Sequence, residues 1–352
     1  MTAPSPWHAS AAPGSAGGAS PKGASADIAM TTQRYDGHVH LVGNGLSGSG
    51  CWLRLDGLWH RVLGEVMRRT IGLEAKATAA DFDEAFVSHL AGLVADSSLD
   101  AALLLAQDEV YDETGRKLDF GSFYVPNEYL FRVCARHPEF VPAVSIHPGR
   151  KDALEELERC LASGARALKL LPNCQNVDCA LPQYDEFWRR MAAAGLPFLS
   201  HTGGEMTVPV INRAYQDPRI LRRPLELGVK VIAAHSSGNS HFFDPNYFGE
   251  LIRLMDEFPG LYADTSALNS PIRSGVLRQV KESGRLGRFL HGSDFPVPVG
   301  GRWAWLRGLI TLAQAAEAGR IANLIERDAY LKRAMGFDDG HFTRLGEVLR
   351  PV

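Results

Sequence analysis

Five polar side chains stand at the ends of short apolar runs in this 352-residue chain. The stretch "DGHVH" places His38 and His40 one residue apart, and the runs "LPFLSH" and "VIAAH" end in His201 and His235. A further run, "FLHGSD", ends in Asp294. Neutral imidazoles and carboxylates are common ligands of divalent metal ions. These residue types therefore favour a metal site whose ligands come from separate segments.

The one-residue spacing of the two histidines in "DGHVH" predicts that their side chains point the same way. Side chains alternate between the two faces of a strand, so His38 and His40 share one face and Val39 lies on the other. One histidine at a strand end is more often an ordinary core or surface residue than a ligand. Four histidines and an aspartate at equivalent strand ends favour the metal site. Asp36 lies on the same face but deeper in the barrel. It is interpreted either as a hydrogen-bond partner of a ligand histidine or as a structural hydrogen-bond acceptor.

The apolar runs predict eight short strands separated by amphipathic helices. Strands buried on both faces of a parallel sheet have such nearly continuous apolar sequences. The fold class is therefore α/β, a (β/α)₈ TIM barrel, in which the carboxyl ends of all strands meet at one mouth. An open doubly wound sheet is the alternative, but no G-x-G-x-x-G follows the first strand. The runs read "DGHVHLV", "AALLLAQ", "FVPAVSI", "ARALKLL", "PFLSH", "KVIAAHS", "LYADTSA" and "RFLHGSD".

Composition changes along the chain suggest three parts. Residues 1–33 are rich in Ala, Gly, Ser and Pro and are expected to form a disordered tail, with Met30 a candidate natural start. Residues 34–340 are expected to form the TIM-barrel domain, with a helical insertion after the first strand and helices after the eighth. Residues 341–352 are expected to be a C-terminal tail with His341 at its surface.

Net charge and cysteine content limit the expected binding partners and cellular compartment of the protein. The net charge is −3, and no Lys/Arg stripe suggests nucleic acid or an anionic membrane surface. No apolar stretch is long enough to span a bilayer. The five cysteines include no C-x-x-C pair, which favours reduced thiols and a cytoplasmic protein. A small-molecule substrate is expected.

The motifs "DGHVH", "SHTG", "AAHSSG" and "HGSDFP" resemble those of the amidohydrolase superfamily of metal-dependent TIM-barrel hydrolases. The narrower resemblance is to its amidohydrolase-related (amidohydrolase 2) branch, which includes aminocarboxymuconate-semialdehyde decarboxylase. It spans Tyr35 to about Phe337 and implies one divalent ion, with Zn²⁺ expected, and a homodimer. It also implies catalytic roles for Asp294, which would move a proton, and His235, which would polarise the substrate or orient the water. The implied metal ligands are His38, His40, His201 and Asp294.

Lys169, near the end of "ARALKLLP", has three interpretations. Some branches of the superfamily carry a carbamylated lysine at the fourth strand that bridges two metals, so two ions would then be bound. Otherwise Lys169 is a substrate contact or a buried lysine paired with Asp294. Loops at the mouth supply further candidate substrate contacts, namely Glu205, Arg54, Trp59 and His241.

The expected reaction is hydrolysis of an amide, ester or lactone in a small molecule by a metal-activated water. The alternative is a metal-dependent non-oxidative decarboxylase, a carbon–carbon lyase that would hold its substrate carboxylate with an arginine. Arg54, Arg150 and Arg302 lie in segments that could supply one. A barrel kept only as a binding module is disfavoured, because the full set of five metal and catalytic residues is present.

Overall fold

The structure is a computed structural model that describes residues 33–54 and 57–350, without the side chains of residues 57, 59, 60 and 63. The tail expected at residues 1–33 lies outside the described residues except for Gln33. Within the described ranges, no helix has the length and apolar character needed to cross a membrane. All five cysteines are free thiols.

Eight parallel strands follow one another in chain order around a single sheet. Backbone hydrogen bonds join the two ends of this sheet: the N–H of Gly37 donates to the carbonyl of His291 at 3.0 Å, and the N–H of Asp294 donates to the carbonyl of His38 at 2.9 Å. The sheet is thus nearly closed, which confirms the (β/α)₈ barrel rather than the open sheet. The strands are Tyr35–His40, Ala101–Leu105, Phe140–Val144, Ala167–Leu170, Phe198–Ser200, Val231–Ala233, Leu261–Asp264 and Phe289–Leu290.

Alternation along each strand separates two cores. In the fourth strand, Leu168 and Leu170 join the outer core between strands and helices, whereas Ala167 joins the core inside the barrel. Lys169 shares the inward face of Ala167 and lines a cavity at the mouth. Inward positions are therefore apolar low in the barrel and polar at its carboxyl end.

Helices cover the outside of the barrel, as the amphipathic spacers predicted. The helix Leu312–Arg320 begins at a capping box, in which Thr311 and Gln314 each bond the other's backbone N–H. The helices are Gly57–Thr70, Phe82–Ala95, Asn127–Arg136, Ala153–Ala162, Pro172–Gln175, Asp185–Ala193, Arg222–Glu226, Phe248–Glu257, Ser274–Glu282, Gly301–Leu306, Leu312–Arg320, Leu324–Ala334, Asp339–Thr343 and Leu345–Val348.

The insertion after the first strand lies over the mouth. Its short strand Trp52–Leu53 pairs antiparallel with Phe123–Tyr124, which comes from the loop after the second barrel strand. The helix Gly57–Thr70 follows and places Gly64 and Met67 against the cavity. The predicted helical insertion is confirmed.

The C-terminal residues differ from the expected tail. Residues 339–348 form two short helices, and Leu345, Val348 and Leu349 join the core inside the barrel. His341 is only 2% exposed, against its expected place at the surface, and its Nε2 lies 3.1 Å from the Thr265 hydroxyl. The end of a barrel opposite the mouth exposes apolar side chains unless another segment covers it, and these residues provide that cover.

Replacing Leu345 by Ala tests this cover. Leu345 is 2% exposed, so the substitution leaves a cavity and is expected to lower the free energy of unfolding by about 2–5 kcal/mol in urea denaturation. Leu312→Ala is the control, because Leu312 is 62% exposed and its loss is expected to change stability by about 0.5 kcal/mol or less. Equal, small effects would show that the segment is not part of the core.

Candidate metal centre and active site

His38, His40 and Asp294 meet on the floor of the mouth. The Nε2 atoms of His38 and His40 lie 3.2 Å and 3.3 Å from Oδ1 of Asp294. One ligand atom from each residue lies within 4.8 Å of the others, a spacing that suits a single divalent ion. Strand alternation brings the two histidines inward together, as predicted. Asp294 adopts a left-handed φ of 66°, which is uncommon for a residue with a side chain.

Asp264 orients His38 from behind. Its Oδ2 lies 2.8 Å from Nδ1 of His38, so the geometry assigns the ring proton to Nδ1 and leaves the Nε2 lone pair facing Asp294. Burial by itself would raise the pKa of Asp264, but contact with His38 and hydrogen bonds from Ser266 and the His235 N–H hold it below its ordinary value. A carboxylate behind a ligand histidine is typical of metal sites.

Sequence reasoning did not single out Asp264. The residue ends the seventh strand in "LYAD", so the rule that selected the other strand-end residues would have found it. Asp264 also forms a second group of close ligand atoms with His38 and His235.

His235 and His201 form a neighbouring pair. Nε2 of His235 lies 3.2 Å from Nδ1 of His201, and Nδ1 of His235 lies 2.8 Å from the Ser266 hydroxyl. Three successive residues, 235–237, have left-handed φ values between 50° and 56°. The backbone N–H of His235 donates to Asp264 at 2.7 Å, which helps to hold this strained turn.

His201 lies less close to the other implied metal ligands than the family resemblance suggested. It belongs to neither group of close ligand atoms, and its Nε2 is buried without a hydrogen-bond partner among the described residues. Burial lowers the pKa of His201 to about 4, so the ring is neutral near pH 7. The unpaired nitrogen lies 3.6 Å from Oε2 of Glu205 and faces the cavity that both residues line. It is an available donor atom for an ion or a substrate.

The Lys169 side chain reaches the candidate metal group, formed by His38, His40 and Asp294, rather than the rim of the barrel mouth. Its Nζ lies 3.1 Å from Nε2 of His38, and its side chain is fully buried. Burial lowers the pKa of Lys169 to about 8, against the raising effect of Asp294 and Asp264. All three interpretations of Lys169 require a place near these residues.

A cavity of about 190 Å³ opens above the floor, smaller than the roughly 300–1,000 Å³ of pockets for drug-sized ligands, which favours a small molecule. Its walls are largely apolar, and part of them comes from the insertion helix. The apolar lining residues are Val42, Leu53, Met67, Ile71, Leu73, Ala77, Phe82, Phe86, Phe123, Leu171, Val208, Pro296 and Val297.

The four candidate substrate contacts fall in different places. Arg54 lines the cavity, stacks 4.4 Å from the Trp52 ring and pairs with Asp119 at 2.6 Å. Glu205 also lines it, with Oε1 bound to backbone N–H groups of residues 206–208. His241 is exposed and is not among the cavity-lining residues. The Trp59 side chain lies outside the described part of the chain.

A buried arginine was missed by sequence reasoning. Arg273 is 7% exposed, donates from Nη2 to the Gly204 carbonyl at 2.6 Å and leaves Nη1 buried without a partner among the described residues. Neither Arg150, which pairs with Asp108 and Asp152, nor the exposed Arg302 lines the cavity. In sequence, "SPIRSG" gives no sign that this arginine is buried.

Asp36 supports the backbone rather than a ligand ring. Its Oδ1 accepts from the N–H groups of His38 at 3.1 Å and Ser293 at 2.8 Å. Burial raises the pKa of Asp36 to about 6. Of the two roles considered for Asp36, the contacts favour the structural acceptor.

Comparisons with known proteins agree with the fold. The amidohydrolase family model matches residues 35–322. An uncharacterised TIM-barrel protein from Bordetella bronchiseptica is 17% identical, with a TM-score of 0.52 and coverage of 84% of this chain and 99% of that chain. A probable 2-pyrone-4,6-dicarboxylic acid hydrolase from Acinetobacter baumannii, solved with citric acid bound, is 15% identical, with a TM-score of 0.50 and coverage of 87% and 100%. No curated protein sequence matches significantly.

Asp264→Asn tests the orientation of His38. The amide cannot carry the negative charge that holds the Nδ1 proton, so we expect divalent metal affinity to fall by about 10- to 100-fold, measured by calorimetric titration of metal-free protein. Asp256→Asn is the control, because Asp256 is half exposed and pairs with Arg285 away from the cavity. Unchanged affinity in Asp264→Asn would remove Asp264 from the site.

Buried neutral histidines predict a loss of stability in acid. Burial lowers the pKa of His147 to about 4, whereas an unfolded histidine titrates near 6.5, so unfolding takes up a proton between these values. The free energy of unfolding is therefore not reduced by His147 above about pH 6.5. It falls as the pH drops toward 4, by up to about 1.4 kcal/mol per pH unit. The free energy of unfolding in urea, measured between about pH 7 and pH 5, should depend less steeply on pH in His147→Gln than in the wild type. The exposed His241→Gln should keep the wild-type dependence on pH. The wild-type slope in both variants would contradict this assignment.

Proposed function

Because the chain belongs to the amidohydrolase family, we propose that it is a metal-dependent hydrolase cleaving an amide, ester or lactone bond in a small molecule. The observation that carries this proposal is the convergence of His38, His40 and Asp294 at the base of a cavity that His40 and Asp294 line. A cytoplasmic location and a homodimer belong to the proposal as well, the former supported by the five free cysteines.

The donor atoms fit a divalent cation. His38 and His40 offer imidazole nitrogens and Asp294 a carboxylate oxygen, and the unpaired Nε2 of His201 is a fourth donor at the same cavity. Such a set suits zinc, and also manganese or iron. We assign one ion, with Zn²⁺ expected. When bound, it would supply Lewis acidity and lower the pKa of a coordinated water.

Asp294 is suited to move a proton. Burial tends to raise its pKa, but contact with His38 and His40 and the charge of Arg273 hold it below the ordinary value, so the carboxylate is ionised at neutral pH. It can accept a proton from the attacking water and pass it to the leaving group.

His235 acts as a neutral group. Burial and the nearby charge of Arg273 hold its pKa well below the ordinary value. It would therefore orient the water or polarise the substrate carbonyl as a neutral ring rather than as a cation.

The cavity indicates the substrate class. Apolar walls suit a small, largely apolar molecule, and Lys169 provides positive charge at the cavity itself. The buried Arg273 is not a lining residue, but it lies close enough to Glu205 and Asp294 to interact with their charges. Acidic groups of the protein already compensate part of the charge of Arg273, and its unpaired Nη1 is the donor that an anionic group on the substrate would use.

Decarboxylation is the second candidate, and Arg273 is the observation that favours it. A decarboxylase must hold a substrate carboxylate, and a guanidinium with an unpaired Nη1 is a suitable donor. The two reactions differ in their products, so one experiment separates them.

The experiment is a screen of lactones, amides and aromatic carboxylic acids with metal-free and zinc-loaded protein, following acid release and carbon dioxide release. We expect zinc-dependent acid release, and a loss of about 100-fold or more in kcat for Asp294→Asn with little change in Tm. Asp256→Asn should retain wild-type activity. Carbon dioxide without hydrolysis would identify the decarboxylase, and full activity without metal would contradict both candidates.

A further inference from the structure

A buried ion pair lies outside the metal group, on the helix Leu324–Ala334. Asp328 and Lys332 stand one turn apart, both are fully buried, and the Nζ of Lys332 contacts Oδ2 of Asp328. The same Nζ donates to the carbonyl oxygen of Gly292 at 2.6 Å. A helix on the outside of the barrel thus reaches the backbone two residues before Asp294.

The first strand holds this backbone from the opposite side. The N–H of Asp294 donates to the carbonyl of His38 at 2.9 Å. Gly292 lies so close to the same strand that a Cβ added to it would be 2.9 Å from Cβ of His38. Residues 292–294 therefore lie between His38 on one side and Lys332 on the other.

Neighbouring groups fix the ion pair itself. The Nδ2 of Asn269 donates to Oδ1 of Asp328 at 2.6 Å, so both carboxylate oxygens of Asp328 have partners. Nδ1 of His291 lies 3.9 Å from Oδ2 of the same carboxylate. The pair is thus a rigid support for the Gly292 carbonyl.

Two physical arguments give the pair a role beyond stability. A buried ion pair contributes little net stability, because desolvation of both charges offsets their attraction. The left-handed conformation of Asp294 is unfavourable by itself and persists only where its surroundings impose it. Lys332 holds the carbonyl of Gly292, two residues before Asp294, and so restrains the backbone that leads into this conformation.

We propose that Asp328 and Lys332 are a positioning pair that fixes the direction of the Asp294 carboxylate toward His38 and His40, and so sets the divalent-metal affinity of the site. This inference rests on the metal site of the proposed function. Neither residue contacts the ligand atoms, so the effect passes through the Gly292 carbonyl and the backbone of residues 292–294.

The test removes both charges together, as Asp328→Leu with Lys332→Met, because removing one would leave the other buried and unpaired. Metal-free protein is titrated with Zn²⁺ by calorimetry and loaded with Co²⁺ for its visible absorption spectrum. We expect the zinc dissociation constant to rise by about tenfold or more and the Co²⁺ spectrum to change. A pair that only stabilises the fold would shift Tm and leave both readouts at their wild-type values, which would overturn the proposal.

The matched control is Asp108→Leu with Arg150→Met, which removes another ion pair, 3.1 Å apart, formed by the buried Asp108 and the half-buried Arg150, that does not contact residues 292–294. Its zinc affinity should equal that of the wild type, and a tenfold loss there would overturn the specificity of the effect. If the wild type binds no zinc, the proposed function fails. If the wild type binds zinc and the Asp328/Lys332 double variant binds it equally well, the positioning role alone fails.

Asn269→Ala is a milder test of the same proposal, because it keeps both charges and removes only one hydrogen bond to Asp328. It serves where the double variant does not fold. We expect its zinc affinity to fall by about two- to tenfold. An unchanged affinity in folded Asn269→Ala would also count against the proposal.

Discussion

The hydrogen bond from the N–H of Asp294 to the carbonyl of His38 closes the barrel and builds its candidate metal group at the same time. It sets the register between the first and last segments of the barrel, and that register places Oδ1 of Asp294 near two imidazole nitrogens. Because side chains alternate along a strand, a slip of one residue would turn His38 and His40 toward the helices. The chemistry of the mouth thus depends on how the sheet closes.

Burial then determines the charge of each group around this contact. The imidazoles of His38, His201 and His235 have lowered pKa values chiefly because they are buried, so they are neutral donors. Asp264 stays ionised despite burial because His38, Ser266 and the His235 N–H donate to it, and Asp294 because of its contacts with His38 and His40 and the charge of Arg273. Neutral nitrogens beside ionised carboxylates are the protonation states that a divalent cation requires.

The parts of the fold and site that follow local rules could be predicted from the sequence. Period-two alternation placed His38 and His40 on one face, and the shared end of parallel strands brought the other candidates to the same mouth. Other features depend on contacts across the barrel. The pairing of Asp264 with His38, the burial of Arg273 and the left-handed turn at His235 arise from tertiary packing. The last residues were misjudged because their apolar pattern is short and acquires meaning only with an open barrel end to cover.

The apolar walls of the cavity, which the insertion and neighbouring segments form together, change the electrical environment at the floor. Walls such as Met67, Phe86 and Phe123 are poorly polarisable compared with water, so the effective dielectric constant near the floor is low. Charges there interact more strongly than they would in an open cleft. A ligand that fills the space lowers the dielectric constant further, and so strengthens the attraction between its own charge and the residues that hold it.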